Sequence, residues 1–167
     1  GSKYSVSKLK TDSNIFYKIA TEPEHILEYS KSYNIVGALS TGSDYRVNKD
    51  SNRLSYKALQ YLECPILGLC FGFQSMSKFY GVAVLSGSEI KDNLYVTSFD
   101  ESHFLFRDID LKRTKVSFCF HDYPSEVPQG FTKIAELDGK IAGVSNTHLK
   151  RYGLLFYSED LTTTHII

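Results

Sequence analysis

The sequence predicts an α/β domain of three layers, a mostly parallel twisted sheet with helices on both faces and an antiparallel extension. Two patterns carry this. In the first half, short apolar runs alternate with segments whose apolar residues recur every three to four positions, which implies strand-helix-strand units and a parallel sheet. From Val82 onward the period becomes two, with turn residues between the runs, as in a meander of antiparallel strands. At 167 residues and 42% hydrophobic, the chain fits one domain with a full core. No linker, repeat or low-complexity tract divides it. Gly1-Ser2 reads as a cloning remnant, so residues 1–14 are taken as a tag and N-terminal segment and 15–167 as the domain.

Element by element, Ile15 to Ala20 reads as a strand. Thr21 opens a helix: it can cap, Pro23 suits the first turn, and Glu24 completes a T-x-x-E capping box. Ile26, Tyr29 and Tyr33 share a face of that helix. Ile35 to Leu39 is a second strand, followed by a polar loop from Ser40 to Asp50. A second helix from about Ser51 turns Leu54, Ala58, Tyr61 and Leu62 inward. Pro65 to Leu69 is continuously apolar, which suits a strand buried on both faces. The next helix starts after Cys70, carries Phe73, Met76 and Phe79, and ends at Gly81. Strands are then expected at 82–85, 95–99, 115–120, 131–137, 141–146 and 152–156.

Nineteen basic residues balance nineteen acidic ones. That gives no electrostatic reason to expect nucleic acid or an anionic membrane as partner. No apolar run approaches the roughly 18 residues of a membrane span. Cys64, Cys70 and Cys119 are few, odd in number and widely spaced, which argues against a disulfide framework and fits a reducing, cytoplasmic compartment. No metal-type Cys/His spacing occurs, and neither a metal nor a cofactor is expected. Twelve tyrosines and eleven phenylalanines are spread over strands and helix faces, as core packing needs. They form no stacking stripe for nucleic acid. The basic cluster Lys112, Arg113 and Lys115 comes after Asp108 and Asp110 and reads as a solvated turn.

The segment from Pro65 to Gln74 carries the chemistry. Cys70 lies at a strand-to-helix junction with Gly68 two residues before it and Gly72 two residues after. Such a sharp turn needs residues without side chains, because the backbone passes close to its neighbours. It projects the thiol at the carboxyl end of the strand and at a helix N-terminus, where the dipole favours a thiolate. The Phe71 N–H is then an oxyanion donor. A lone cysteine is more often a buried structural residue. Here G-x-C-x-G-x-Q fixes four positions at once, on the order of one chance in 10⁵ to 10⁶ per window.

The motif from Gly68 to Gln74 resembles the nucleophile turn of class I glutamine amidotransferases, and the run from Met76 to Gly81 resembles the stretch after that turn in the GMP synthase type. Gly37 to Val47 is similar to that family's glycine-rich oxyanion loop. Phe118 to Asp122, then Val127 to Phe131, resembles its S-H-G-D…P-x-G-F stretch. Ala142 to Thr147 and Tyr152 to Glu159 resemble the strand pair ending in Y-G-V-Q-F-H-P-E. The resemblance spans about residues 15 to 165, in family order. It implies a flavodoxin-like glutaminase fold and a cysteine that attacks the side-chain amide of glutamine and releases ammonia to a synthetase domain or subunit. Carried over, Cys70 is the nucleophile and Glu159 the carboxylate that orients the base. Gly42, Ser43, Gly68, Phe71 and Gly72 lie on the oxyanion side. Gln74, Phe120, His121 and Asp122 help hold the substrate.

The position of the family's catalytic histidine is Tyr157. A phenol is protonated at pH 7 and cannot accept the thiol proton as imidazole does. Other departures accompany it. The paired glycines of the oxyanion loop become Gly42-Ser43, Ser158 replaces the proline after the histidine, and His121 sits one position late in the S-H-G-D stretch. Too few residues precede Ile15 for the family's first strand and helix. Of the histidines, His121 belongs to the substrate wall and is expected nearest Cys70. His148 reads as a solvated turn residue, His165 lies near the chain end, and His25 and His103 read as helix-surface and loop residues. The expected function is a degenerate glutaminase-type module that binds glutamine, a related small molecule or a protein. The alternatives are a working glutaminase subunit of an ATP-pyrophosphatase synthetase and a different cysteine hydrolase on the same fold.

Overall fold

The computed structural model describes residues 16–107 and 109–157, so the expected contributions of Ile15, Ser158, Glu159 and His165 lie outside the described residues. In chain order the elements are α1 (Pro23–Ser32), β1 (Ala38–Ser40), α2 (Arg53–Tyr61), β2 (Ile66–Leu69), α3 (Phe71–Phe79), β3 (Val84–Leu94) and β4 (Ser98–Phe99). A 3₁₀ turn (Phe104–Phe106) comes next, then β5 (Val116–Pro124), β6 (Thr132–Leu137), β7 (Lys140–Asn146), β8 (Arg151–Leu154) and β9 (Phe156–Tyr157).

Six strands form the main sheet in the order β1-β2-β8-β7-β6-β4. β1, β2 and β8 are parallel, β7 runs against β8, and β6 runs against β7, so four of the six strands point one way. The fold is therefore the mixed α/β arrangement expected, with its mostly parallel sheet. A second sheet, β3-β5-β9, is antiparallel throughout. One chain run feeds both sheets: after β8 it bends at Leu155, whose amide is held by the Ala142 carbonyl at 2.8 Å, and re-enters as β9.

Alternation along the strands assigns the faces. Ile66 joins Met76 of α3, Ala58 and Leu59 of α2, and Ile26 of α1 in one cluster, so the helices share one side of the sheet. Tyr152, adjacent to the helix-facing Gly153, packs its ring on Phe104 at 5.2 Å on the other side. There the described cover is the 3₁₀ turn and the chain after it, whose Phe106, Ile109 and Leu111 join Val144, Leu154 and Phe156 in the main core.

Glycines at β2, α3 and β8 set the helix-to-sheet distance. Gly68 and Gly153 are register partners on adjacent strands. A Cβ on Gly68 would stand 2.8 Å from the Gly72 carbonyl, and one on Gly153 would stand 2.2 Å from the Phe73 ring. Phe73 is fully buried as a result. A Cβ on Gly72 would meet the Ser40 carbonyl oxygen of β1 at 2.2 Å. The first turn of α3 thus rests on three strands.

Several boundaries differ from the sequence reading. Residues 16–20 form no strand. α1 is entered through Glu22 rather than Thr21: His25 turns its Nδ1 back to the amides of Thr21 (3.2 Å) and Glu22 (3.3 Å), so this histidine caps the helix. Tyr61, expected inward, is 46% exposed at the end of its helix. β3 is eleven residues long instead of four. Most of its side chains are exposed and polar, so its backbone ladder with β5 makes it a strand without any apolar alternation to announce it. The Lys112–Arg113 turn is solvated as read, with Lys112 on Glu101 and Arg113 on Asp110.

Arg151 ties the far end of the sheet to α2. Buried at 6% exposure, it donates Nη1 to the carbonyls of Cys64 (2.8 Å) and Leu149 (3.0 Å), and Nη2 to that of Leu62 just past the helix end. A cation at a helix C-terminus complements the dipole and its unpaired carbonyls. Arg151→Met keeps the apolar stem and orphans those carbonyls. The expected loss is about 2–4 kcal/mol, read as a lower urea midpoint at unchanged m-value; an unchanged midpoint would show that water replaces the guanidinium freely.

Candidate active site

Cys70 stands between β2 and α3 at φ 48°, ψ −105°, a left-handed backbone rare for a residue with a Cβ. This is the sharp strand-to-helix turn expected from the sequence. Its amide is anchored by the Leu154 carbonyl of β8 (2.8 Å), and its carbonyl accepts from the Gln74 amide (2.9 Å). The side chain is 3% exposed. Its Sγ donates to the Cys119 carbonyl of β5 at 3.2 Å and accepts from the Tyr157 side chain and the Phe71 amide. Burial pushes the thiol up to about 11, only partly offset by the Tyr157 and Phe71 hydrogen bonds. Desolvation here opposes the preference of a helix terminus for a thiolate.

Several of the other expected site residues converge here, with their polar groups already engaged. Tyr157, on β9, lies against the oxyanion loop: a Cβ on Gly42 would stand 2.2 Å from its hydroxyl. Ser43 is exposed, has no left-handed backbone, and spends its hydroxyl on the Tyr45 amide at 2.8 Å. Phe71 packs with Val47 and Val84, and its N–H points at the cysteine's own sulfur. Gln74, buried, donates Nε2 to the Asp122 carbonyl at 2.7 Å, pinning α3 to β5. Phe120 is buried in the main core against Phe118.

The Asp122 side chain is 2% exposed. Arg46 grips it bidentately, Nε to Oδ2 at 2.8 Å and Nη2 to Oδ1 at 2.6 Å, and Ser86 Oγ adds a bond of 2.7 Å to Oδ1. Hydrogen bonding from Arg46, reinforced by Ser86, holds its carboxyl below the usual range despite burial. His121 points elsewhere. Side chains alternate along β5, so its ring leaves the Asp122 side and lies 3.9 Å from Glu89. His121, the histidine expected nearest Cys70, is therefore turned toward Glu89. His148 is exposed, and His103 bonds Ser145 at 2.9 Å, both at a separate cavity of about 300 Å³ that Cys70 does not line.

Arg46 and Ser86 were not singled out by sequence reasoning. The signal available was Asp122 itself, since a carboxylate in a buried strand demands a cationic or multiple-donor partner. Among the described residues, no group of three or more His, Cys, Asp or Glu is placed to hold a metal ion, and no helix is long and apolar enough to cross a membrane.

The family model for glutamine amidotransferase class-I matches residues 5–165. The chain belongs to that family. Among curated amidotransferase relatives, the glutamine-hydrolysing GMP synthase of Clostridium tetani is 30% identical over 165 residues, covering 95% of this chain and 31% of the relative. That of Treponema denticola is 28% identical over 162 residues, with the same coverages. The chain thus spans about a third of these relatives and is related to their glutaminase part. Among solved structures, a glutamine amidotransferase from Thermotoga maritima superposes with TM-score 0.58 at 21% identity, over 72% of this chain and 56% of that one. A Thermoplasma acidophilum protein named for a GMP synthase subunit gives 0.66 at 17%, over 80% and 68%. At these identities the superpositions speak for the amidotransferase fold.

Only the thiolate alkylates, so a thiol raised by burial gains reactivity as pH rises toward its pKa. Alkylation of Cys70 by a neutral haloacetamide, tracked by peptide mapping, is expected to climb about tenfold per pH unit from pH 8 to 10, without the levelling near 8.5 of a free thiol. A plateau below pH 9 would mean an activated cysteine.

Proposed function

We propose that this domain is a glutaminase-type module without normal glutamine turnover, used for binding or regulation. The carrying observation is at position 157, where the side chain against Cys70 is a phenol. Tyr157 hydrogen-bonds the sulfur and lies on Gly42. Its ordinary pKa near 10 leaves it protonated, so it is a donor to the thiol and no acceptor of its proton. The general base is worth about 10²- to 10⁴-fold, and the same group must protonate the departing ammonia. Cys70 supports the reading from its side: its proton is donated to a main-chain carbonyl, and its environment disfavours charge.

The second reading, a working glutaminase subunit that delivers ammonia to an ATP-pyrophosphatase synthetase, is favoured by one observation. The turn still holds Cys70 in the strained left-handed backbone of a nucleophile, flanked by both glycines. Its base would be unconventional or supplied on association. The match to a third of GMP synthases points to the same kind of partner. Three free cysteines fit a reducing, cytoplasmic setting for either reading.

Ammonia release from glutamine, measured beside a Cys70→Ala control, with and without an ATP-pyrophosphatase subunit, separates the two. The expected result is release at the level of the control under both conditions. Cys70-dependent release, whether from the domain alone or from the pair, would establish the enzyme reading.

A further inference from the structure

The contacts of Asp122 bear on which ligands the site can accept, an inference that rests on the silent-module reading and deepens it. Asp122 borders the cysteine turn: its carbonyl accepts from Gln74, one helical turn after Cys70, and its own strand β5 supplies the Cys119 carbonyl that takes the Cys70 thiol. A free amino acid entering the crevice brings an α-ammonium that must exchange its hydration for an acidic partner. Asp122 is not available for that exchange. Both its carboxylate oxygens are taken by the Arg46 fork, Oδ1 is further engaged by Ser86, and its own carbonyl is occupied by Gln74. An arriving ammonium would have to displace a bidentate guanidinium, the best-matched cation a carboxylate can have.

Arg46 is itself fixed in place. Its amide donates to Asp50 Oδ2 (2.6 Å), and its carbonyl accepts from the amides of Lys49 and Asp50. The next stretch of chain is strapped to α3: Asn52 bridges the Val47 carbonyl and Ser75 Oγ, and Lys78 reaches the Val47 carbonyl. Fully buried Val47 nails the loop down beside Phe71. The guanidinium is thus delivered to Asp122 by a braced loop.

We propose that Arg46 is a specificity-determining residue: by occupying Asp122 it makes the crevice beside Cys70 refuse ligands that carry an α-ammonium, free glutamine included. Acyl or amide ligands without that charge are the class the site retains. It follows that replacing Tyr157 by histidine restores a base but not a glutamine site.

The test uses two reagents, a chloroketone analogue of glutamine and the same chloroketone lacking its α-amino group, with Cys70 alkylation read by intact mass. In Tyr157→His the des-amino reagent is expected to label Cys70 at least about tenfold faster than the ammonium-bearing one. Adding Arg46→Gln should raise labelling by the ammonium-bearing reagent about tenfold or more and make it glutamine-protectable, with the des-amino rate unchanged. A merely structural role for Arg46 would move both rates together. If the double variant does not fold, Tyr157→His decides alone. Equal labelling by the two reagents in that variant overturns the inference, and so does labelling by neither, which would place the block in shape rather than charge. Rapid, glutamine-protected labelling of the unmodified protein would overturn both this inference and the silent-module reading, whereas equal labelling in Tyr157→His overturns this inference alone.

Discussion

The close seating of the first turn of α3 on the sheet is the constraint on which the rest of the molecule depends. Three positions without side chains permit it: Gly68 under the helix backbone, Gly153 under Phe73, and Gly72 against the Ser40 carbonyl. A single Cβ at any of them would meet backbone or ring atoms at 2.2–2.8 Å. Because the helix cannot rise, the chain between β2 and α3 must turn at one residue, and that residue takes a left-handed conformation. Position 70 would be strained and buried whatever its side chain. The cysteine inherits its place from packing before any chemistry is considered.

That packing explains why an intact nucleophile turn does not imply an active one. A thiol at a helix N-terminus is activated when the dipole and a cationic partner outweigh desolvation. Here the surroundings are a phenol, a main-chain carbonyl and a carboxylate already paired with arginine. Three polar groups that the family resemblance places around the substrate have instead found partners within the protein. Gln74 holds β5, Asp122 holds Arg46, and Ser43 holds its own loop. Mutual satisfaction of the buried pair Gln74 and Asp122 stabilises this arrangement, since a buried donor or acceptor left without a partner is costly.

The class of fold, the parallel strands, the cysteine turn and the family were legible in the sequence because each has a local signature. Apolar runs of Pro65 to Leu69 type report burial on both faces, and four fixed positions around Cys70 report a backbone constraint. The features that were not legible depended on contacts distant in sequence. β3 is exposed on most of its length and owes its existence to β5. The cap on α1 came from His25, a residue type without a strong capping prior. Arg46 lies 76 positions from Asp122, and no pattern in either neighbourhood announces the pair. Gly153 has the look of an ordinary strand residue until its register with Gly68 places both beneath one helix.

The bend at Leu155 has a mechanical meaning. Cys70 is rooted in the main sheet through Leu154, while Tyr157, two residues past the bend, belongs to the small sheet with β3 and β5. The seam between the two sheets therefore runs through the site itself, one jaw on either side. Asp122 and the Cys119 carbonyl ride on the second jaw, Arg46 and Gln74 on elements packed to the first. The surroundings of Cys70 are consequently a property of how two sheets dock, and β3, which brings Ser86 to Asp122 and Val84 to Phe71, takes part in that docking.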